Sequence, residues 1–341
     1  MRIQHHSSSP RHRQLFSLTP IQHLTTVTMG LLPPAAKLSL AVRKNVRDEW
    51  ENNKEDIEKQ LSDLLGATWT TEVNPNAIWP YHNDGYAKDS LGSCIKGYMD
   101  GAIYQIKYQV GKYGDEFKNE INTICHAHVL TIGVEETTPP RFSYCGCDVQ
   151  DGKLRILFVD TYLGTNIDYA CQEDALVPAL NNAPSDKPLS FKVRLGIRTD
   201  YESQIKDVHH KIAEMLGKKD EEIKLNPNFD DTFAKLDAAS KVKGNSVRDD
   251  WQQNLGSFAL KYFEGLVWQM NNQKVGEDEM VQEGFLEAVE KQEIAFRIVD
   301  KLTYDSYCEV VVEDGVLYLQ STAASWGTNI DYAASKLIDQ L

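Results

Sequence analysis

The sequence predicts an α+β fold made by tandem duplication of one module of roughly 145 residues. Blocks of sequence recur in the same order at nearly constant spacing. Gly164-Thr165-Asn166-Ile167-Asp168-Tyr169-Ala170 returns 163 residues later as Gly327-Thr328-Asn329-Ile330-Asp331-Tyr332-Ala333, and Ser143-Tyr144-Cys145 returns as Ser306-Tyr307-Cys308. Leu91-Gly92-Ser93 reappears as Leu255-Gly256-Ser257, and Val73-Asn74-Pro75-Asn76 as Leu225-Asn226-Pro227-Asn228. The spacing widens between those last two pairs, which places an insertion in the second copy between Asn228 and Leu255. The segmentation that follows is a tail at 1–36, modules at 37–180 and 189–341, and a turn-rich linker, NNAPSDKP, at 181–188.

Each module opens with an alternation of apolar and polar residues, at 38–43 and at 189–198, that predicts a strand. An amphipathic helix follows, with Trp50, Ile57, Leu61 and Leu64 on one face in the first copy and Tyr201, Ile205, Val208, Ile212 and Met215 in the second. Both helices run into Leu-Gly (Leu65-Gly66 and Leu216-Gly217), a C-cap signal. A short strand then enters the Asn-Pro-Asn turn, completing a βαβ-like opening. The helices beginning at Leu91 and Leu255 are the most apolar, and Gly101 and Gly265 stand within them despite a cost of about 1 kcal/mol against Ala. Close backbone approach explains such glycines and predicts a buried central helix. A further helix is expected at 114–124 and 277–290. An antiparallel three-stranded meander comes next, read in the second copy as 293–300, 307–313 and 316–321, with an Asp314-Gly315 hairpin. A last helix is expected after Gly-Thr-Asn, with Thr165 and Thr328 as N-caps and Asp168 and Asp331 completing capping boxes.

Length and charge bound the function classes. At 341 residues the chain has room for about two domains. It carries 36 Lys and Arg against 50 Asp and Glu, a net charge of −14. Residues 1–47 contain basic residues and no acid, so the body is the more acidic part. An acidic body repels phosphate backbones, which argues against nucleic acid as a partner. No run of ~18 apolar residues exists, which argues against membrane insertion. The six cysteines are irregularly spaced along a long chain, which fits reduced thiols in the cytoplasm better than a disulfide scaffold. The tail at 1–36 is Arg- and Ser-rich and acid-poor, as a mitochondrial transit peptide is, but Pro10, Pro20, Pro33 and Pro34 interrupt any helix there. Met29 is the alternative start.

Three constellations carry chemistry. Cys125, His126, His128, Cys145 and Cys147 hold the residue types of a zinc site or a Cys/His nucleophile pair, yet the second copy has Val289 and Lys291 where the first has His126 and His128. Buried cysteine used as a small hydrophobe is the plainer reading. The tract at 79–86, WPYHNDGY, has no twin and combines Trp79, Tyr81 and His82 in a loop, where binding residues concentrate. Asn74, Asn76, Asn226 and Asn228 stand at the two equivalent turns, able to face a shared axis between modules. No dinucleotide, phosphate-loop, zincin or nucleophile-elbow motif is present, so no cofactor is called for. These observations predict a non-enzymatic two-module protein that binds a small molecule or a protein partner near the inter-module crevice. The competing expectation is an enzyme whose first module is catalytic through Cys and His and whose second is degenerate.

Overall fold

The computed structural model describes residues 31–244 and 246–341. The first half contains α1 (Leu40–Asn45), α2 (Lys54–Leu65), β1 (Thr70–Glu72), α3 (Pro75–Ile78), α4 (Leu91–Tyr113), α5 (Asp115–Ile124), β2 (Val129–Val134), β3 (Cys145–Gln150), β4 (Lys153–Phe158) and α6 (Glu173–Asn182). The second half contains α7 (Phe191–Gly196), α8 (Ile205–Met215), β5 (Lys224–Asn226), α9 (Phe229–Ser240), α10 (Trp251–Asn272), α11 (Glu279–Ala288), β6 (Glu293–Val299), β7 (Cys308–Glu313) and β8 (Val316–Thr322). The architecture is mixed α/β with two four-stranded sheets, which is consistent with the expected α+β class. The predicted insertion holds α9.

The sheets have the orders β1-β2-β4-β3 and β5-β6-β8-β7. Within each, the first three neighbours run parallel and only the terminal hairpin is antiparallel. This corrects the expected antiparallel meander: β4 crosses β3 to pair with β2. Leu130 and Ile132 stand beside Leu154 and Ile156, and all four point into the helical layer. Thr131 beside Arg155, and Asp148 opposite it, take the other face. The hairpin turns place Asp151 (φ 52°) and Asp314 (φ 48°) in the left-handed region with Gly152 and Gly315 behind them, the geometry that two-residue hairpins use.

The predicted opening strands at 38–43 and 189–198 are helices. Ser39 accepts a hydrogen bond from the Val42 amide and starts α1. Buried Leu38, Val42 and Val46 recur at helical spacing. α7 has two buried faces, because it lies between the halves. Phe191 and Leu195 belong to the first hydrophobic core, whereas Val193 and Ile197 belong to the second. The β-strand pairing that makes a βαβ unit is instead β1 with β2, joined across α3, α4 and α5. A π-helical stretch continues each opening helix, at Val46–Trp50 and Ile197–Glu202.

The halves pack through α5, α6 and α7. Phe117 meets Phe191 with ring centroids 5.9 Å apart. Beside them the buried Glu120 accepts from Arg194 (2.7 Å and 2.8 Å), Lys187 (3.2 Å) and Arg198 (3.4 Å). Burial pushes the Glu120 carboxyl up, but Arg194 and Lys187 outweigh it and bring its pKa down to about 2. Among the described residues, no helix is long and apolar enough to cross a membrane. Residues 1–30, which include Met29 and most of the expected tail, lie outside the described part. Of the expected tail at 1–36, the described residues from 31 onward are held to the body, since the Leu32 amide donates to the Tyr81 hydroxyl (2.8 Å) and Ala35 exchanges two bonds with Asn76.

Candidate functional site

The duplicated Gly-Thr-Asn-Ile-Asp-Tyr-Ala motif is a latch between sheet and central helix. Asn166 (φ 49°) and Asn329 (φ 50°) turn the chain through the left-handed region into single 3-10 turns, Ile167–Tyr169 and Ile330–Tyr332. The expected closing helix and Thr caps are therefore absent there: neither turn has a side-chain cap. The Gly164 and Gly327 amides donate to the buried hydroxyls of Tyr98 and Tyr262. Gln105 and Gln269 donate to the carbonyls of Asp168 and Asp331. Cys145 and Cys308 each donate a thiol to the following Asn carbonyl at 3.1 Å.

That geometry gives the recurring cysteines a structural role. Burial pushes the Cys145 and Cys308 thiols up to about 12, the reverse of nucleophile activation. Cys125 is likewise raised by burial, and Cys147 is raised by its hydrogen bond with the Cys171 thiol and by burial. His128 stacks on Trp69 at 5.5 Å, while the His126 ring lies against Gly152 at the hairpin turn. Among the described residues, no group of three or more His, Cys, Asp or Glu is arranged to hold a metal ion.

The loop residues singled out from sequence make local bonds. Asn74 caps α3 by accepting from the Asn76 and Ala77 amides. Trp79 donates its indole N–H to the Lys88 carbonyl (3.0 Å) and packs against His82, whose Nδ1 accepts from the Asp84 amide. Tyr81 is 7% exposed and meets Phe158 edge-on. Asn226 bonds Glu293 across the second sheet and accepts from the Asn228 amide. The Asn74–His82 group lies in the first half, just after β1, and the Asn226–Asn228 pair in the second, at the end of β5, and none of the seven lines the crevices beside α6.

Helix α6 has a crevice on each side, which the sequence did not reveal because no motif marks it. On one side, a cavity of about 730 Å³ lies between the halves and is lined by Lys112, Tyr113, Glu173, Lys192, Thr199 and Asp200 among others. Lys112 bonds Glu173 at 2.7 Å, and the Tyr113 hydroxyl donates to the same carboxylate at 2.5 Å. Burial opposes ionisation of Glu173, but Lys112 and Tyr113 hold its carboxyl below the usual range. Thr199 and Asp200 belong to the π-helical stretch, a feature common at functional sites. Thr199 donates to Asp200 at 3.0 Å, and Lys192 has no ion pair among the described residues. On the other side, a cavity of about 580 Å³ runs between α6 and the edge strand β3. No protein-family model matches the chain, and no similar protein emerges among the curated proteins or the solved structures.

Proposed function

We propose that the chain is a tandem duplication of one α+β module and acts as a binding protein, holding a small zwitterion of the amino-acid type in the crevice between the halves. Matched residues doing matched work support the duplication: Tyr98 with Tyr262, Gln105 with Gln269 and Cys145 with Cys308. The observation that carries the binding site is the inter-half cavity, which presents Lys192 and Asp200, of opposite charge, from one helical run at partly buried positions. Lys192 suits a carboxylate and Asp200 an ammonium, and partial burial strengthens both interactions relative to open water. Six free cysteines, all buried, support a reducing compartment such as the cytoplasm. The Cys/His enzyme reading has less support, because its thiols are buried and held protonated.

The test is a thermal-shift series of free amino acids on the full chain. A ligand present at about 100 times its Kd adds about 2.7 kcal/mol of stability, enough for a clear rise in Tm. Lys192→Ala and Asp200→Asn are expected to abolish the rise and leave the ligand-free Tm near that of the parent. A flat series across the amino acids overturns the reading.

A further inference from the structure

The geometry points to an amino acid with a cationic side chain, of the lysine and ornithine type, as the ligand of the crevice between the halves. This rests on the zwitterion reading above and adds the side chain to it. The charges lining the cavity do not cancel. Lys112 and Lys192 stand against Glu173, Asp174 and Asp200, which leaves an excess of negative charge. A neutral zwitterion leaves that excess in place. A ligand with a second ammonium removes it, and in a partly buried crevice the attraction is stronger than in open water.

The bonds inside the cavity show which acid holds the excess. Lys112 bonds Glu173 at 2.7 Å, and the Tyr113 hydroxyl donates to the same carboxylate, so Glu173 is already neutralised. Asp200 accepts from the Thr199 hydroxyl. Asp174, beside Glu173 in the first turn of α6, is exposed and has no ion pair among the described residues. Once Lys192 takes a carboxylate and Asp200 an α-ammonium, Asp174 remains for a further cation.

The two helices place that acid across the cavity from the other two groups. Asn181, near the end of α6, accepts from the Lys192 amide at the start of α7 (2.8 Å). From that corner α6 leads back to Asp174, and the run of α7 leads on to Asp200. Lys192 and Asp200 therefore belong to one wall and Asp174 to the other. Between them Val177 and Pro178 of α6 and Leu195 of α7 form an apolar lining. Such a lining suits the methylene stem of a long side chain whose charged end travels past it.

Pro178 sharpens the choice of a donor-rich group. It has no N–H, so the Asp174 carbonyl four residues earlier lacks its helical donor. Asp174 thus offers two kinds of acceptor on the α6 wall, its carboxylate and its carbonyl. A side-chain ammonium carries three N–H donors and no acceptor, which matches that supply. An acidic side chain brings a like charge to Asp174 and is rejected.

Isothermal titration of the full chain with lysine, norleucine and glutamate tests the inference. Norleucine has every carbon of lysine and lacks only the side-chain ammonium. Lysine is expected to bind at least about tenfold more tightly than norleucine, with glutamate the weakest of the three. Asp174→Asn is expected to bring lysine down to the affinity of norleucine. The comparison of ligands on the unaltered chain decides the matter if that variant fails to fold. Norleucine binding as tightly as lysine overturns the cationic side chain and leaves the zwitterion reading standing. Absence of binding by all three, together with a flat series across the other amino acids, overturns both. A preference for lysine that survives Asp174→Asn overturns the assignment, since the charge of the chain as a whole then accounts for it.

Discussion

Phe191 and Val193, two residues apart on α7, are buried in different hydrophobic cores. Phe191 reaches Phe117 of the first half, and Leu195 follows it one turn later into the same core. Val193 and Ile197 make the equivalent pair on the side of the second core. A six-residue helix is marginal in isolation, so its stability comes from packing on both sides. The consequence is mechanical: loss of either core removes support from the helix that completes the other.

Unfolding of the full chain is therefore expected to be a single cooperative transition. Phe191→Ala should cost about 3–5 kcal/mol and should lower protection of amides in both sheets. Hydrogen exchange followed residue by residue checks this. Loss of protection confined to the first sheet would show that the halves unfold separately.

The same helix explains why its segment reads as a strand. Two buried pairs at helical spacing, offset by two positions, produce Phe191, Val193, Leu195, Ile197, an alternation that a single amphipathic helix never shows. Period-two burial normally means a sheet with one wet face, and here it means a helix with two buried faces. The hairpins, the central helices and the C-caps were legible because each depends on local chemistry. The order of strands was not, since the choice of β3 or β4 as the neighbour of β2 rests on contacts distant in sequence. The local bonds of the 79–86 loop were not legible for another reason. Trp79 donates to the Lys88 carbonyl, His82 accepts from the Asp84 amide and Tyr81 accepts from the Leu32 amide, and a sequence does not show such local bonds in a loop of binding-type residues.

Glu120 sets the pH dependence of the junction. Its pKa stands near 2 in the folded chain against an ordinary value of 4.5. A depressed carboxyl contributes stability that is complete above the unfolded value and is lost as pH falls from 4.5 towards 2. Glu120→Gln leaves Lys187, Arg194 and Arg198 facing one another without a counter-charge, at a cost of about 3 kcal/mol near neutral pH. The gap between parent and variant in urea titrations should narrow steadily on acidification through that window. A gap independent of pH would mean that packing, and not charge, holds the junction.

Helix crossings give the sharpest steric prediction, and it falls on a pair of glycines that the repeat itself marks. Gly92 and Gly256 occupy the recurring Leu-Gly-Ser, near the start of α4 and α10. A Cβ at Gly256 would lie 2.3 Å from the Gly196 carbonyl oxygen, and one at Gly92 would lie 2.3 Å from that of Asn45. Both obstacles are backbone, which cannot rotate away as a side chain can. Gly265, expected from sequence to sit at a close crossing, has more room: its Cβ would come to 3.1 Å from the Ile330 carbonyl oxygen. That neighbour is the latch turn and not another helix. Gly256→Ala is expected to cost about 3 kcal/mol through overpacking, more than Gly265→Ala. Gly284 in α11 supplies the control, because a Cβ there meets nothing within 4 Å. Gly284→Ala should raise stability by about 0.5–1 kcal/mol, the ordinary helix-propensity gain. Urea denaturation of the three variants tests the order directly. Equal effects at Gly256 and Gly265 would place the tight contact at the latch instead of at the α7–α10 crossing.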